Sequence, residues 1–181
     1  MQIRTERLTI RPVTQGDWRS VQAIWKDFQT SEYACYDRPN AVDDETVRAR
    51  IARWADANAS GAAHMFFAVC LRDVLIGYTA FNRREDGYEI GYCFHSGYHG
   101  RGYARESHLA LFAHFRRLGV TRFTAGTALS NTPSVALLKS LGFQQVGTEK
   151  VSFYQDDAGR DIIFDGGIFA LDTQRTLPNA P

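Results

Sequence analysis

Apolar and polar positions change period several times along the chain, and each change marks an element. Leu8 and Ile10 alternate with polar neighbours ahead of Pro12, which predicts a short edge strand, because proline cannot donate into a ladder. Val21, Ile24, Trp25 and Phe28 form an i, i+3, i+4, i+7 stripe behind Thr14 and Asp17, which stand at capping-box spacing, so a helix follows. Residues 31–41 carry Tyr33, Tyr36, Pro39 and Asn40 without a period, and Val47, Ile51 and Trp54 then mark a second helix ending near Gly61. The period shortens after it. Residues 65–71, 74–81 and 88–94 are apolar, β-rich runs broken at Arg72-Asp73 and Glu85-Asp86-Gly87, the pattern of an antiparallel meander. Leu111, Phe115 and Leu118 stripe a third helix from about Ala104, with Arg116 and Arg117 in its last turn and Gly119 beyond. Residues 123–127 read as a strand, and Thr132-Pro133 opens a fourth helix that runs to Gly142. Three more strands, 143–146, 151–155 and 162–171, complete the pattern.

Composition narrows the classes. With 181 residues, 44% of them hydrophobic, the chain supports one sizeable core, so residues 1–172 are expected to form a single domain and 173–181 a polar, frayed tail. Basic and acidic side chains number 21 and 20, a net charge of +1, which gives no global field to recruit nucleic acid or an anionic membrane. No apolar run is long enough for a leader or a membrane span, and the three cysteines are odd in number with no C-x-x-C spacing. A soluble cytoplasmic protein without a disulfide framework or zinc knuckle is expected. The sequon Asn58-Ala59-Ser60 is read as coincidence, and the spacing of His95, His99, His108 and His114 suggests no metal site.

The stretch from Glu89 to Ala104 carries the most chemistry: a strand runs through Ser96-Gly97-Tyr98-His99-Gly100-Arg101-Gly102 into a helix. Glycines let backbone N–H groups converge, a helix N-terminus adds partial positive charge, and Arg101 and Arg105 add full charges, which suits a phosphate or pyrophosphate. An ordinary strand-to-helix turn is the plain alternative. A Walker loop would need Lys and Ser/Thr after its last glycine, where Tyr103 and Ala104 stand. A dinucleotide fingerprint would need a third glycine, where Arg105 stands, and a position near the first strand rather than after a meander.

With these residues in view, nearly the whole chain resembles the GNAT superfamily of acyl-CoA N-acyltransferases, and within it the ribosomal-protein N-terminal acetyltransferase-like branch. The family loop Q/R-x-x-G-x-G/A is matched by His99-Gly100-Arg101-Gly102-Tyr103-Ala104, with His99 departing from the first position. Downstream, Asn131-Thr132-Pro133-Ser134 and Leu141-Gly142-Phe143 are similar to the family's N-x-x-S/A…G-F segment; alone, Asn131 and Ser134 would read as helix-capping residues. The resemblance implies a mixed α/β fold: a mostly antiparallel sheet of six to seven strands with splayed middle strands, flanked by about four helices. It implies acetyl-CoA as donor and no metal. The loop amides from His99 to Arg105 would hold the pyrophosphate, the edge at Tyr92, Cys93 and Phe94 would pair with the pantetheine arm, and Asn131 and Ser134 would lie along the coenzyme.

Direct attack of an amine on a thioester needs an oxyanion donor, a route for the amine proton and a proton for the sulfur. The resemblance assigns these to a backbone N–H of the 92–94 strand, to Glu89 directly or through water, and to Ser134. Glu89 is expected to be partly buried in its apolar strand, or else to form a salt bridge within the sheet. Many family members place a tyrosine acid where this chain has Leu138, seven residues after Asn131. Cys93 reads as a small strand residue rather than a nucleophile. Deprotonating an α-amine of pKa ~7.8 at neutral pH costs about 1 kcal/mol, against about 4.6 for a lysine of pKa ~10.4, so modest base machinery suits a peptide N-terminus or a small molecule of low amine pKa. Resemblance nominates Tyr33, Tyr36, Asn82, Tyr154 and Asp165 as acceptor-groove residues, in a monomer or homodimer. A non-catalytic coenzyme-A sensor of the same fold and, more remotely, a dinucleotide oxidoreductase are the competing readings.

Overall fold

A computed structural model describes residues 1–61 and 63–173. Among the described residues the elements run β1 (Ile3–Arg4), β2 (Leu8–Pro12), α1 (Trp18–Gln29), α2 (Asp44–Ser60), β3 (His64–Leu71), β4 (Val74–Arg84), β5 (Gly87–Phe94), α3 (Tyr103–Arg117), β6 (Arg122–Ala128), α4 (Thr132–Ser140), β7 (Gln144–Gln155) and β8 (Asp161–Asp172). They form one eight-stranded sheet in the order β1-β2-β3-β4-β5-β6-β8-β7, antiparallel throughout except at β5–β6. That pair is parallel because α3 carries the chain across the sheet between its members.

Each face of the sheet buries its own layer. Val21, Ile24 and Trp25 of α1 and Val47, Ile51 and Trp54 of α2 pack with Ala68, Cys70 and Leu75 on one face. On the other, Leu111, Phe112 and Phe115 of α3 and Leu138 of α4 meet Phe81, Ile90, Phe123 and Phe169. The helical stripes fix which side each helix covers, and strand alternation supplies residues to both layers. The capping residues act as their spacing implies: the Asp17 carboxylate accepts from the Thr14 N–H at 2.7 Å and hydroxyl at 2.9 Å. Asn58 is structural, its amide exchanging two 2.8 Å bonds with the Phe66 backbone.

The sheet differs from the sequence expectation in three places. β2 is not the edge: the two-residue β1 pairs with it at Ile3↔Ile10 and Arg4↔Thr9, which makes eight strands in place of six to seven. The two strands expected at 143–146 and 151–155 are one, because register shifts near Gln145/Gly147 and Ser152/Gln155 absorb the polar run that looked like a break. Thr173, placed with the tail, is buried and donates to the Thr121 carbonyl at 2.8 Å, and the rest of the expected tail, 174–181, lies outside the described residues.

Candidate active site

The parting of β5 from β6 creates the site. Their pairing covers Tyr88↔Phe123 and Glu89↔Thr124, and the strands separate from Ile90 onward. On its other side β5 keeps an unbroken ladder to β4, from Arg84↔Gly87 to Gly77↔Phe94. The His95 N–H donates to the Ile76 carbonyl at 3.0 Å, which sets the phase of that ladder. By antiparallel alternation, Glu89, Gly91 and Cys93 direct their backbone groups to β4, while Ile90, Tyr92 and Phe94 direct theirs into the gap. Tyr92 and Phe94 therefore form the edge expected at 92–94, and Cys93 does not. The Phe94 carbonyl is already engaged, accepting from His99 Nε2 at 2.8 Å. The histidine that departs from the family's Gln/Arg thus ties the loop to the end of β5.

Where β5 leads into α3, Gly100 and Gly102 adopt positive φ of 71° and 77°, a conformation that costs side-chain-bearing residues. Gly102 is the residue ahead of α3, and its carbonyl accepts from the Glu106 N–H at 2.9 Å. The N–H groups of Tyr103, Ala104 and Arg105 precede that first helical bond and have no acceptor within the helix. Arg101 is exposed and Arg105 donates weakly to the Ser140 carbonyl, 3.4 Å away. Sequence reasoning missed Arg7. Its guanidinium donates to the Arg101 carbonyl at 3.0 Å, pairs with Glu106 at 2.6 Å and lies 4.7 Å from the Tyr103 ring centroid. The loop is therefore braced from the first strands of the sheet. Converging amides, a helix N-terminus and arginines suit a diphosphate, and the free edge of β5 suits an amide-bearing arm beyond it, so these residues fit coenzyme A.

Tyr92 and Ser134 face each other across the gap, Oη to Oγ 2.8 Å. Asn131 caps α4 by accepting from the Ser134 N–H at 3.2 Å, so the capping role holds, and the cap sets Ser134 beside the gap. Leu138 is 1% exposed in the core beneath α4. Behind Tyr92 the ring of His108 packs edge-on at 5.0 Å. His108 Nδ1–H donates to the Ala104 carbonyl at 2.7 Å, and its Nε2 lies 3.2 Å from Thr79 Oγ1. Complete burial lowers the pKa of this imidazole to about 4, so it is neutral at pH 7.

Glu89 projects from the opposite face, the one that Cys93 shares with α1 and α2. It is partly buried, and it forms the salt bridge within the sheet that was the alternative expectation. Its carboxylate pairs with Arg84 in the β4–β5 hairpin and its side chain is 37% exposed. Asn82 lies directly across from it and accepts from His64 Nδ1 at 2.8 Å. Farther along this face the Cys93 thiol is driven up to about 12 by burial, with Asp37 and Asp27 adding to the rise, so it stays a neutral thiol. Tyr78 rises for the same reason and accepts from Trp25 Nε1 at 2.8 Å.

The segment between α1 and α2 borders this face. Tyr33 precedes and Tyr36 closes a short 3₁₀ turn, Ala34–Tyr36, Tyr36 meets Phe164 of β8 at 5.3 Å, and the Tyr154 hydroxyl of β7 donates to the Ala34 carbonyl at 3.3 Å. A cleft of about 300 Å³ lined by Phe28, Arg38, Asn40 and Tyr154 opens beside it. Asp165 does not join this group: it follows Phe164, so alternation turns it to the other face, where it pairs with Lys150 at 2.7 Å. A second missed residue is Asp37, which ends the turn and accepts from the Arg38 N–H at 2.7 Å. Solvent reaches it, but the surrounding protein strips enough water to raise its carboxyl above the ordinary range, with Arg50 and Arg38 opposing the rise. Its charge is felt by Tyr78, Cys93 and Tyr154, which puts it within electrostatic reach of the face that Cys93 occupies. An acidic residue inside an aromatic, aperiodic segment was the available signal.

The comparisons with known proteins bear on the family and the fold. Residues 7–144 match the family model described as acetyltransferase (GNAT) domain. The uncharacterized N-acetyltransferase YnaD of Bacillus subtilis is 31% identical over 153 residues, 81% of this chain and 85% of the relative. Among solved structures, a GNAT-family acetyltransferase from Bacillus anthracis superposes with TM-score 0.77 at 26% identity, covering 97% of this chain and 100% of the other. The ribosomal L7/L12 α-N-protein acetyltransferase RimL in complex with coenzyme A shares the fold at TM-score 0.80 and 19% identity, covering 95% and 98%.

Proposed function

The chain belongs to the GNAT family of acetyl-CoA-dependent N-acetyltransferases, and on that premise we propose that it acetylates a primary amine by direct attack within a ternary complex. The separation of β5 from β6 beyond Glu89 is the observation that carries this reading, because it frees a backbone edge of β5 for the donor, while alternation along β5 turns Glu89 to the other layer for the acceptor. On the cofactor face, the amides from Gly100 to Arg105 grip the diphosphate, and the gap-facing backbone of Tyr92 and Phe94 aligns the arm. On the acceptor face, Glu89 takes up the amine proton through water, since its Arg84 partner and solvent exposure suit a relay better than direct contact. The nitrogen–carbon bond forms, a β5 backbone N–H stabilises the oxyanion, and the carbon–sulfur pair leaves on sulfur. Ser134 donates its hydroxyl hydrogen bond to that sulfur, and the proton released by the amine is returned through water.

The acceptor is read as an amine of low pKa, an α-amine of a peptide or a small molecule, approaching between Tyr36, Tyr154, Asp37 and Asn82. RimL, whose fold this chain shares, is named for acetylating a ribosomal-protein terminus, which makes peptide N-termini the first acceptors to try. A cytoplasmic setting belongs to this reading, supported by the three free cysteines; among the described residues no helix is long and apolar enough to cross a membrane.

The test is calorimetric titration with acetyl-CoA, followed by release of free thiol against a panel of peptides, polyamines and amino acids, with mass spectrometry of the product. Thiol release with peptides that stops when the N-terminus is blocked is the expected result. Glu89→Gln should slow turnover about 100-fold or more at unchanged acetyl-CoA affinity. Turnover equal to the parent in that variant removes Glu89 from the proton path.

A further inference from the structure

The geometry points to Tyr92 as the positioning residue that fixes the direction of the Ser134 hydroxyl hydrogen, so that it is offered to the departing sulfur. This inference rests on the reading of Ser134 above. Tyr92 and Ser134 come from different elements, β5 and α4, and their oxygens meet at 2.8 Å across the gap. Each hydroxyl carries one hydrogen, so one must donate and the other must send its hydrogen elsewhere. If serine donated, the phenol would be left with the Ser134 carbonyl, 3.5 Å away and at the limit of a hydrogen bond. If the phenol donates, it gains the short contact, and the serine hydrogen turns away from Tyr92 toward the open gap. The second arrangement gives the phenol the shorter bond in place of the marginal one, and leaves the serine hydrogen for an acceptor in the gap.

Three observations hold the phenol in that role. Burial raises its pKa to about 12, so the donor hydrogen is present throughout the working pH range. The His108 ring packs edge-on behind it at 5.0 Å and is itself anchored, Nδ1 to the Ala104 carbonyl at 2.7 Å and Nε2 to Thr79 Oγ1 at 3.2 Å. On the other side, Asn131 locks the Ser134 backbone through its N–H at 3.2 Å. With Leu138 buried where a tyrosine acid would otherwise stand, the phenol here enters from the sheet rather than from α4, and it acts through serine.

Tyr92→Phe deletes the donated hydrogen and keeps the ring against His108. Expected is a ten- to hundred-fold fall in kcat, an acetyl-CoA affinity within two-fold of the parent by calorimetry, and an unchanged melting temperature. Because Tyr92 acts through Ser134, the double variant Tyr92→Phe/Ser134→Ala should turn over no more slowly than Ser134→Ala alone. Replacing Tyr92 with 4-fluorophenylalanine, which fills the hydroxyl's space without donating, should reproduce the kcat loss, whether or not the phenylalanine variant is stable. Recovery of kcat by the fluorinated side chain, a kcat within two-fold of the parent in Tyr92→Phe, or additive losses in the double variant each overturn the inference. If Ser134→Ala alone leaves kcat intact, the role given to Ser134 fails first and takes this one with it. A slowed Ser134→Ala beside an unaffected Tyr92→Phe overturns Tyr92 alone.

Discussion

His108 is buried in the packing between sheet and α3, and its pKa falls from 6.5 to about 4 on folding. The unfolded chain therefore binds a proton that the folded chain refuses, and stability is lost as pH drops from about 6.5 to about 4, by roughly 3 kcal/mol once both states lie below their pKa. Above 6.5 the imidazole is neutral in both states and adds no slope. Urea unfolding at pH 7 and pH 4.5 checks this: His108→Gln should show a shallower dependence of unfolding free energy on pH, whatever its level at pH 7. Cys93 gives a second expectation at this scale. Its thiol, raised to about 12, is not a nucleophile at pH 8, so Cys93→Ala should keep at least half of the parental kcat and form no acyl-enzyme detectable by mass. Sequence alone conveyed that Cys93 is a small strand residue. It could not convey the backbone phase that turns its N–H toward β4, because that phase is set by a pairing partner rather than by composition.

At the scale of elements, the loop entering α3 was readable because everything it needs is contiguous: a strand, two glycines that take positive φ with Arg101 between them, and a helix with Arg105 in its first turn. Its brace was not readable, since Arg7 and Arg101 are 94 positions apart and nothing local marks the contact. Likewise, the single long β7 looked like two strands because a register shift leaves no hydrophobic signature. Both kinds of residue can be tested on the same loop. Gly102→Ala forces a side chain into the left-handed region at about 1–2 kcal/mol, and acetyl-CoA Kd should rise about ten-fold while kcat at saturation changes little. Arg7→Ala removes the brace and not the amides, so a smaller rise of several-fold is expected by the same titration. Equal affinity in both variants would mean that the diphosphate is held elsewhere.

Across the whole molecule, the sheet sorts the proposed reaction by face. Strand alternation sends Tyr92 to the layer of α3 and α4, where Ser134 lies, and sends Glu89 and Cys93 to the layer of α1 and α2, the proposed acceptor side, where the charge of Asp37 reaches Cys93. The period of two is visible in sequence, but which face meets which helix pair depends on the strand order, and Asp165 shows the consequence: it shares a strand with Phe164 and lies on the wrong side of it. Separation by face makes the two substrates' constants independently adjustable. Asp37 is a carboxylate on the proposed acceptor side that is partly stripped of water, and a protonated amine arriving beside it would regain for it the counter-charge that Arg50 and Arg38 supply only in part. Asp37→Asn should therefore raise KM for a cationic acceptor about ten-fold and leave acetyl-CoA Kd unchanged. Raising pH from 7 to 9 should narrow that difference, because the acceptor then arrives uncharged. Steady-state kinetics at both pH values, with the acceptor varied at saturating acetyl-CoA, measures this directly; an effect on the coenzyme constant instead would place Asp37 on the donor's path.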